Sequence, residues 1–137
     1  VKVVILGCGR VGATLAMKME EVGHKVTVID ISNDSFRRLD PKFRGVKILG
    51  NGVDEETLRR AGIETADALA AVTNGDNRNI MASQIAKEIF HVQKVVCRIY
   101  DPIRQGTYKL LGLEAISPTI IGANMLFDAI IGIQRSS

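Results

Sequence analysis

The run Gly7-Cys8-Gly9-Arg10-Val11-Gly12, set between the apolar tetrad Val3 to Leu6 and an amphipathic stretch, constrains this chain more than any other feature. Its three glycines have separate jobs. Gly7 permits a tight turn off a strand, Gly9 lets backbone approach a pyrophosphate, and Gly12 lets a helix lie close to a sheet. A phosphate there meets free N–H groups at the positive end of a helix dipole. Such a string also arises by chance, so its context matters. Val11, Leu15, Met19 and Val22 recur like one helical face, and a second apolar strand runs from Val26 to Ile29. Asp30 ends that strand about 18 positions beyond Gly12, near the spacing at which a nucleotide-binding βαβ unit carries its ribose-gripping acid. A strand-end Asp can equally cap the next helix, and both readings stay open. As a ribose ligand, Asp30 implies discrimination against 2′-phosphates, since no arginine immediately follows it.

The alternation continues beyond Asp30. Helical patterns near Asn33 to Leu39, Glu55 to Ala61, Asn77 to Phe90, Arg104 to Leu111 and from about Ile120 separate strands at Val46 to Leu49, Ala68 to Val72, Val95 to Ile99 and Ala115 to Ile116. Strands alternating with helices imply an α/β fold, a Rossmann-like doubly wound parallel sheet of six strands in the order 3-2-1-4-5-6, with the whole chain, 1–137, as a single domain. A hydrophobic fraction of 46% suits a sheet covered on both faces.

Ligands of such sheets bind outside the strand ends where the strand order reverses, between the first and fourth strands. Thr73, Asn74 and Gly75 follow the fourth strand and are candidates to line that cleft opposite the glycine turn. Asp76 reads as the N-cap of the next helix, whose apolar face is Met81, Ile85 and Ile89. Asn51, in Gly50-Asn51-Gly52-Val53-Asp54, offers a donor and an acceptor to an adenine edge, or forms a plain turn. Arg98 is a charge in a strand that is otherwise core. Its guanidinium requires a partner, either an anion in the cleft or an internal Asp.

Other classes find less support. The net charge of +3 comes from basic residues spread along a chain that lacks Trp, so a nucleic-acid surface is not expected. The densest basic group, Arg37, Arg38, Lys42, Arg44 and Lys47, reads as a solvated face. Cys8 and Cys97 both lie in segments read as buried, too few for a disulfide framework and suited to a reducing cytoplasm. No apolar run approaches the roughly 18 residues of a membrane span, so membrane insertion is not expected. A dehydrogenase fragment is the rival reading, but its chemistry needs a positioned acid or base and usually a second domain. His24 and His91 sit at ordinary surface positions.

Taken in order, Gly7-Cys8-Gly9-Arg10-Val11-Gly12, Val28-Ile29-Asp30, Gly50-Asn51-Gly52-Val53-Asp54, Val72-Thr73-Asn74-Gly75-Asp76-Asn77, Arg98-Ile99-Tyr100-Asp101 and Leu111-Gly112-Leu113-Glu114-Ala115-Ile116-Ser117-Pro118 resemble the N-terminal nucleotide-binding domain of bacterial Trk potassium-uptake regulators, the KTN or RCK N-domain. The resemblance implies a non-catalytic cytoplasmic regulator that binds NAD(H) or ATP/ADP. It also implies control of a membrane potassium transporter or channel through ring assembly. Carried over by position, Gly7, Gly9, Arg10, Val11 and Gly12 hold phosphates, Asp30 holds the ribose, and Ile31 and Ser32 flank it. Asn51, Gly52 and Val53 contact adenine, while Thr73, Asn74, Gly75 and Arg98 line the inner cleft. The chain departs from the pattern at Thr119, where many members carry an acid near a metal or subunit interface, so no metal is expected there. The family's C-terminal ligand-binding lobe is not in the sequence, which implies a fragment or an N-domain-only member. The final helix, about 120–134, is apolar around most of its circumference apart from Asn124 and Asp128. Either a C-terminal lobe or another subunit is expected to cover it, unless it sinks into a groove of its own domain; the favoured reading is a homo-oligomer interface, a dimer or larger ring.

Overall fold

A computed structural model describes residues 1–134. Six strands, β1 (Lys2–Leu6), β2 (Lys25–Asp30), β3 (Val46–Leu49), β4 (Ala68–Ala71), β5 (Lys94–Arg98) and β6 (Glu114–Ile116), form one sheet in the order 3-2-1-4-5-6. Every pairing is parallel, with Val4 beside Thr27 on one side and Leu69 on the other. Parallel neighbours need crossovers, and these lie on both faces: α1 (Arg10–Glu21), α2 (Glu55–Arg60), α3 (Asp76–Gln84) and α4 (Gln105–Leu110), followed by α5 (Pro118–Ile131) after the last strand.

The pleat divides the core. Val3 and Ile5 of β1 join Ala13, Ala16, Val28 and Phe36 on one face, while Val4 and Leu6 join Leu58, Leu69, Ala82 and Tyr108 on the other. Burial on both faces explains why the strands read as continuous apolar runs rather than alternating ones.

Local structure corrects several sequence expectations. The segment after β2 is a 3₁₀ turn, Asn33–Arg38, because Asn, Asp and Ser compete poorly for an α-helix. In α1 the buried positions are Gly12, Ala13 and Ala16, since small residues let this helix sit close to the sheet; of the expected face, Leu15 and Met19 pack half-buried against the core, whereas Val11 and, just past the helix end, Val22 are exposed. The same happens in α3, which buries Asn79, Ala82 and Ser83 and leaves Met81 51% exposed. It continues into a wider π turn, Ile85–Ile89, at whose end Ile89 is also exposed. Asp76 is the first residue of α3 and not its cap; Gly75 occupies the cap position. The last helix begins two residues earlier than expected, with Ser117 Oγ accepting the Ile120 N–H at 3.2 Å, and ends at Gly132, which adopts φ 85°. Of the range expected for it, 132–134 lie beyond the helix.

Candidate functional site

At the sheet's point of reversal, the ends of β1 and β4 diverge and open a cavity of about 540 Å³. Its floor is the glycine turn. Gly7 leaves β1 with φ 107°, and its N–H donates to Ile29 O at 2.8 Å, so the turn is bonded directly to β2. A side chain on Gly7 would press on the Thr73 backbone at 2.9 Å, and one on Gly12 would strike the Gly7 carbonyl. Gly9 is different. A Cβ there would meet nothing within 4 Å, so the space beside it is the cavity itself.

Asp30 closes one side. Its carboxylate accepts the Cys8 N–H at 2.8 Å through one oxygen and the Ser32 N–H at 2.8 Å through the other, fastening the glycine turn to the end of β2. Each oxygen keeps a lone pair for a further donor. Asp30 caps no helix; the 3₁₀ turn starts after Ser32, without a side-chain cap. Burial, then the Asp30 carboxylate, pushes the Cys8 thiol up from its ordinary value, so this cysteine is held as a neutral thiol.

Across the cavity stands a polar lattice that the sequence did not disclose. Asn79, fully buried, accepts the Thr73 N–H at 2.9 Å and the Thr73 hydroxyl at 2.6 Å, and donates to the carbonyls of Thr73 at 3.1 Å and Arg98 at 3.0 Å. Every hydrogen-bonding group of its amide is satisfied, which makes its burial affordable. The lattice locks the end of β4 to the end of β5. Nothing in the sequence separated Asn79 from a solvent-facing helical Asn, because its partners lie six and nineteen positions away.

Of the two partners expected for Arg98, the internal Asp is not found among the described residues. No carboxylate among the described residues pairs with it; its guanidinium lies 4.1 Å from the Tyr100 ring centroid, and its Nε is buried without a hydrogen-bond partner. An orphaned guanidinium nitrogen beside an open cavity fits a phosphate. The cavity also holds Arg10, at the start of α1, together with Arg38 and Arg78.

The structure gathers eleven of the fifteen sequence-selected residues around this cavity: Gly7, Gly9, Arg10, Val11, Asp30, Ile31, Ser32, Gly52, Thr73, Asn74 and Arg98. Four stand back. Gly12 lies beneath the turn, and Gly75 lines an adjoining depression. Asn51, exposed, accepts the Val53 N–H at 3.1 Å through its side-chain oxygen, as in a turn, and Val53 packs on the core. The basic group Arg37, Arg38, Lys42, Arg44 and Lys47 is exposed as expected, and Arg38 in addition lines the cavity and donates to Cys8 O at 3.4 Å. No arginine immediately follows Asp30, although Arg38 lines the same cavity. Among the described residues no cluster of His, Cys, Asp and Glu suits a metal, and no helix is long and apolar enough to cross a membrane.

Comparison with known proteins places this arrangement among relatives. The family model for the TrkA-N domain matches residues 3–118. A Trk system potassium uptake protein TrkA from Streptomyces coelicolor is 51% identical over 115 residues, covering 84% of this chain and 52% of the relative. A TrkA homolog from Pyrococcus abyssi is 31% identical over 135 residues, covering 94% of this chain and 60% of the relative. The chain thus spans little more than half the length of these proteins. In structure it is similar to the Kef C-terminal domain of Shewanella denitrificans in an AMP-bound form, with TM-score 0.83, 20% identity, and 99% and 84% of the two chains covered. It is also similar to the GsuK channel bound to NAD, with TM-score 0.79, 24% identity, and 93% and 22% covered.

Proposed function

Since this chain belongs to the TrkA-N domain family, we propose that it is a cytoplasmic regulatory module that binds an adenine nucleotide, NAD(H) or ATP/ADP, and thereby controls a membrane potassium transporter or channel. The observation that carries the reading is the convergence, in one cavity at the sheet's reversal point, of the glycine turn, the Asp30 carboxylate and the unpaired Arg98 Nε. Gly7, Gly9, Arg10 and Val11, with the N–H groups at the start of α1, take the phosphates. Asp30 takes the ribose hydroxyls on its remaining lone pairs, with Ile31 and Ser32 beside it. Gly52 meets the adenine, and Thr73, Asn74 and Arg98 form the inner wall. The NAD and ADP named for GsuK structures and the AMP named for Kef support an adenine nucleotide as the ligand class.

The module senses and does not catalyse. Its cavity offers arginines, one doubly tethered carboxylate and Tyr100, a set suited to holding anionic charge. The chain works as a homo-oligomer, a dimer or larger ring, joined through α5. Not one residue of that helix is buried, and its Met125, Leu126, Phe127, Ile130 and Ile131 present a contiguous apolar surface.

Calorimetry with ADP, ATP and NADH tests the reading, with NADH incubated beside candidate oxidants as a second arm. Saturable binding of at least one nucleotide without NADH turnover is the expected result. Absence of binding to all three overturns the assignment, and turnover restores the oxidoreductase.

A further inference from the structure

Arg98 is held at the cavity by contacts that trace back to a residue outside it. Its main chain is fixed by Asn79, but its guanidinium rests on the Tyr100 ring, and Tyr100 is 42% exposed on the loop that leaves β5. What anchors that loop is Asp76. One carboxylate oxygen accepts the Tyr100 N–H at 2.7 Å and the other accepts the Asp101 N–H at 3.1 Å. The Asp76 carbonyl in turn accepts the Tyr108 hydroxyl at 3.0 Å, so α4 pins the start of α3 from behind. Asp76 lines only the neighbouring depression, which shares Asn74 and Tyr100 with the main cavity.

We propose that Asp76 is a positioning residue of the nucleotide site: by clamping the Tyr100 and Asp101 N–H groups it sets the ring on which the Arg98 guanidinium lies, and so aims that cation at the phosphates. The inference rests on the nucleotide-binding reading above and deepens it. A flexible four-bond side chain costs rotamer entropy to order, and a ring fixed beneath the guanidinium removes that cost before the anion arrives. Without the carboxylate, two N–H groups lose a charged acceptor, the 100–101 loop loosens, and Arg98 reaches phosphate from many poses instead of one.

A double-mutant cycle read with two ligands tests this. Asp76→Ala is expected to weaken ADP binding about tenfold, the size of one charge-assisted hydrogen bond to phosphate, and to leave adenosine affinity unchanged because adenosine carries no phosphate. Asp76→Asn, which keeps one acceptor oxygen, falls between and serves as the cycle's second variant where the alanine form does not fold. In an Arg98→Ala background the Asp76 substitution has no further effect on ADP. Equal loss for adenosine and ADP, or a full loss that persists without Arg98, overturns the positioning role while the nucleotide site stands. An unsubstituted chain that binds neither ligand overturns both.

Discussion

Gly9 and Gly12 are separated by two residues and by opposite reasons for being glycine. Gly9 has extended backbone, φ −79° and ψ −164°, and open space where a Cβ would be, so the fold tolerates a side chain that the ligand does not. Gly9→Val is expected to abolish ADP binding while lowering the melting temperature by only a few degrees, about 1 kcal/mol for a β-branched residue at a helix cap. Gly12→Ala is expected to cost several times more stability, since its methyl group meets a backbone carbonyl that cannot move without moving the turn. Paired thermal melts and titrations distinguish the two, and a Gly9→Val protein that still binds would show that phosphate does not lie there. Tyr108 supplies a pH signature. Burial first, then the Asp76 and Cys97 charges, pushes its phenol up to about 12 from an ordinary 10. A raised folded value means the native state holds the proton longer, so this contribution to stability is complete below pH 10 and is lost as pH rises toward 12. Denaturant melts should show a loss of up to about 3 kcal/mol over that window, diminished in Tyr108→Phe.

At the level of elements, α1 begins with a cation where the helix dipole favours an anion. Arg10 is its first residue, and no acid stands in that first turn. The arrangement costs the empty protein about 0.3–1 kcal/mol, and a bound phosphate converts the cost into attraction. Arg10→Ala should therefore raise the melting temperature of the nucleotide-free protein slightly while weakening ADP roughly threefold, less than Gly9→Val because backbone N–H groups remain. A lowered melting temperature would contradict the dipole argument. The same helix shows what the sequence disclosed and what it hid. The glycine turn, the acid at the end of β2 and the alternating elements made the sheet order legible, because each rests on spacing along one short segment. The helix faces followed from apolar periodicity only in part, since Leu15, Met19 and Ile85 pack against the core but Val11, Met81 and Ile89 do not. Helices that lie close to a parallel sheet bury Gly, Ala and Ser, as α1 and α3 do, and leave larger residues such as Val22 and Met81 outside. Asn79, the Asp76 clamp and the return of Arg38 to the cavity depend on contacts across many positions, and only the folded chain brings them together.

Seen as a whole, the molecule is closed along its sheet faces and open along α5. Ile130, 82% exposed, stands beside Leu126 and Phe127 on a helix with no buried residue, so apolar surface there is left in contact with water. Sedimentation equilibrium at micromolar concentration should show a dimer or larger assembly, dispersed by Phe127→Asp or Ile131→Asp without a change in the melt of the domain. A monomer in the unsubstituted protein would remove α5 as a self-association surface. The order of the strands also has a consequence for how the chain is made. Of the six strands β1 is synthesised before the others and lies at the centre of the sheet, paired with β2 on one side and with β4, which starts only at Ala68, on the other. At ~5–20 residues per second, the strand that carries the glycine turn waits for several seconds with one edge bare. The nascent chain thus exposes its most apolar strand before the partner that shields its second edge exists, and the ligand cleft, which lies between the ends of β1 and β4, cannot form until β4 has been made.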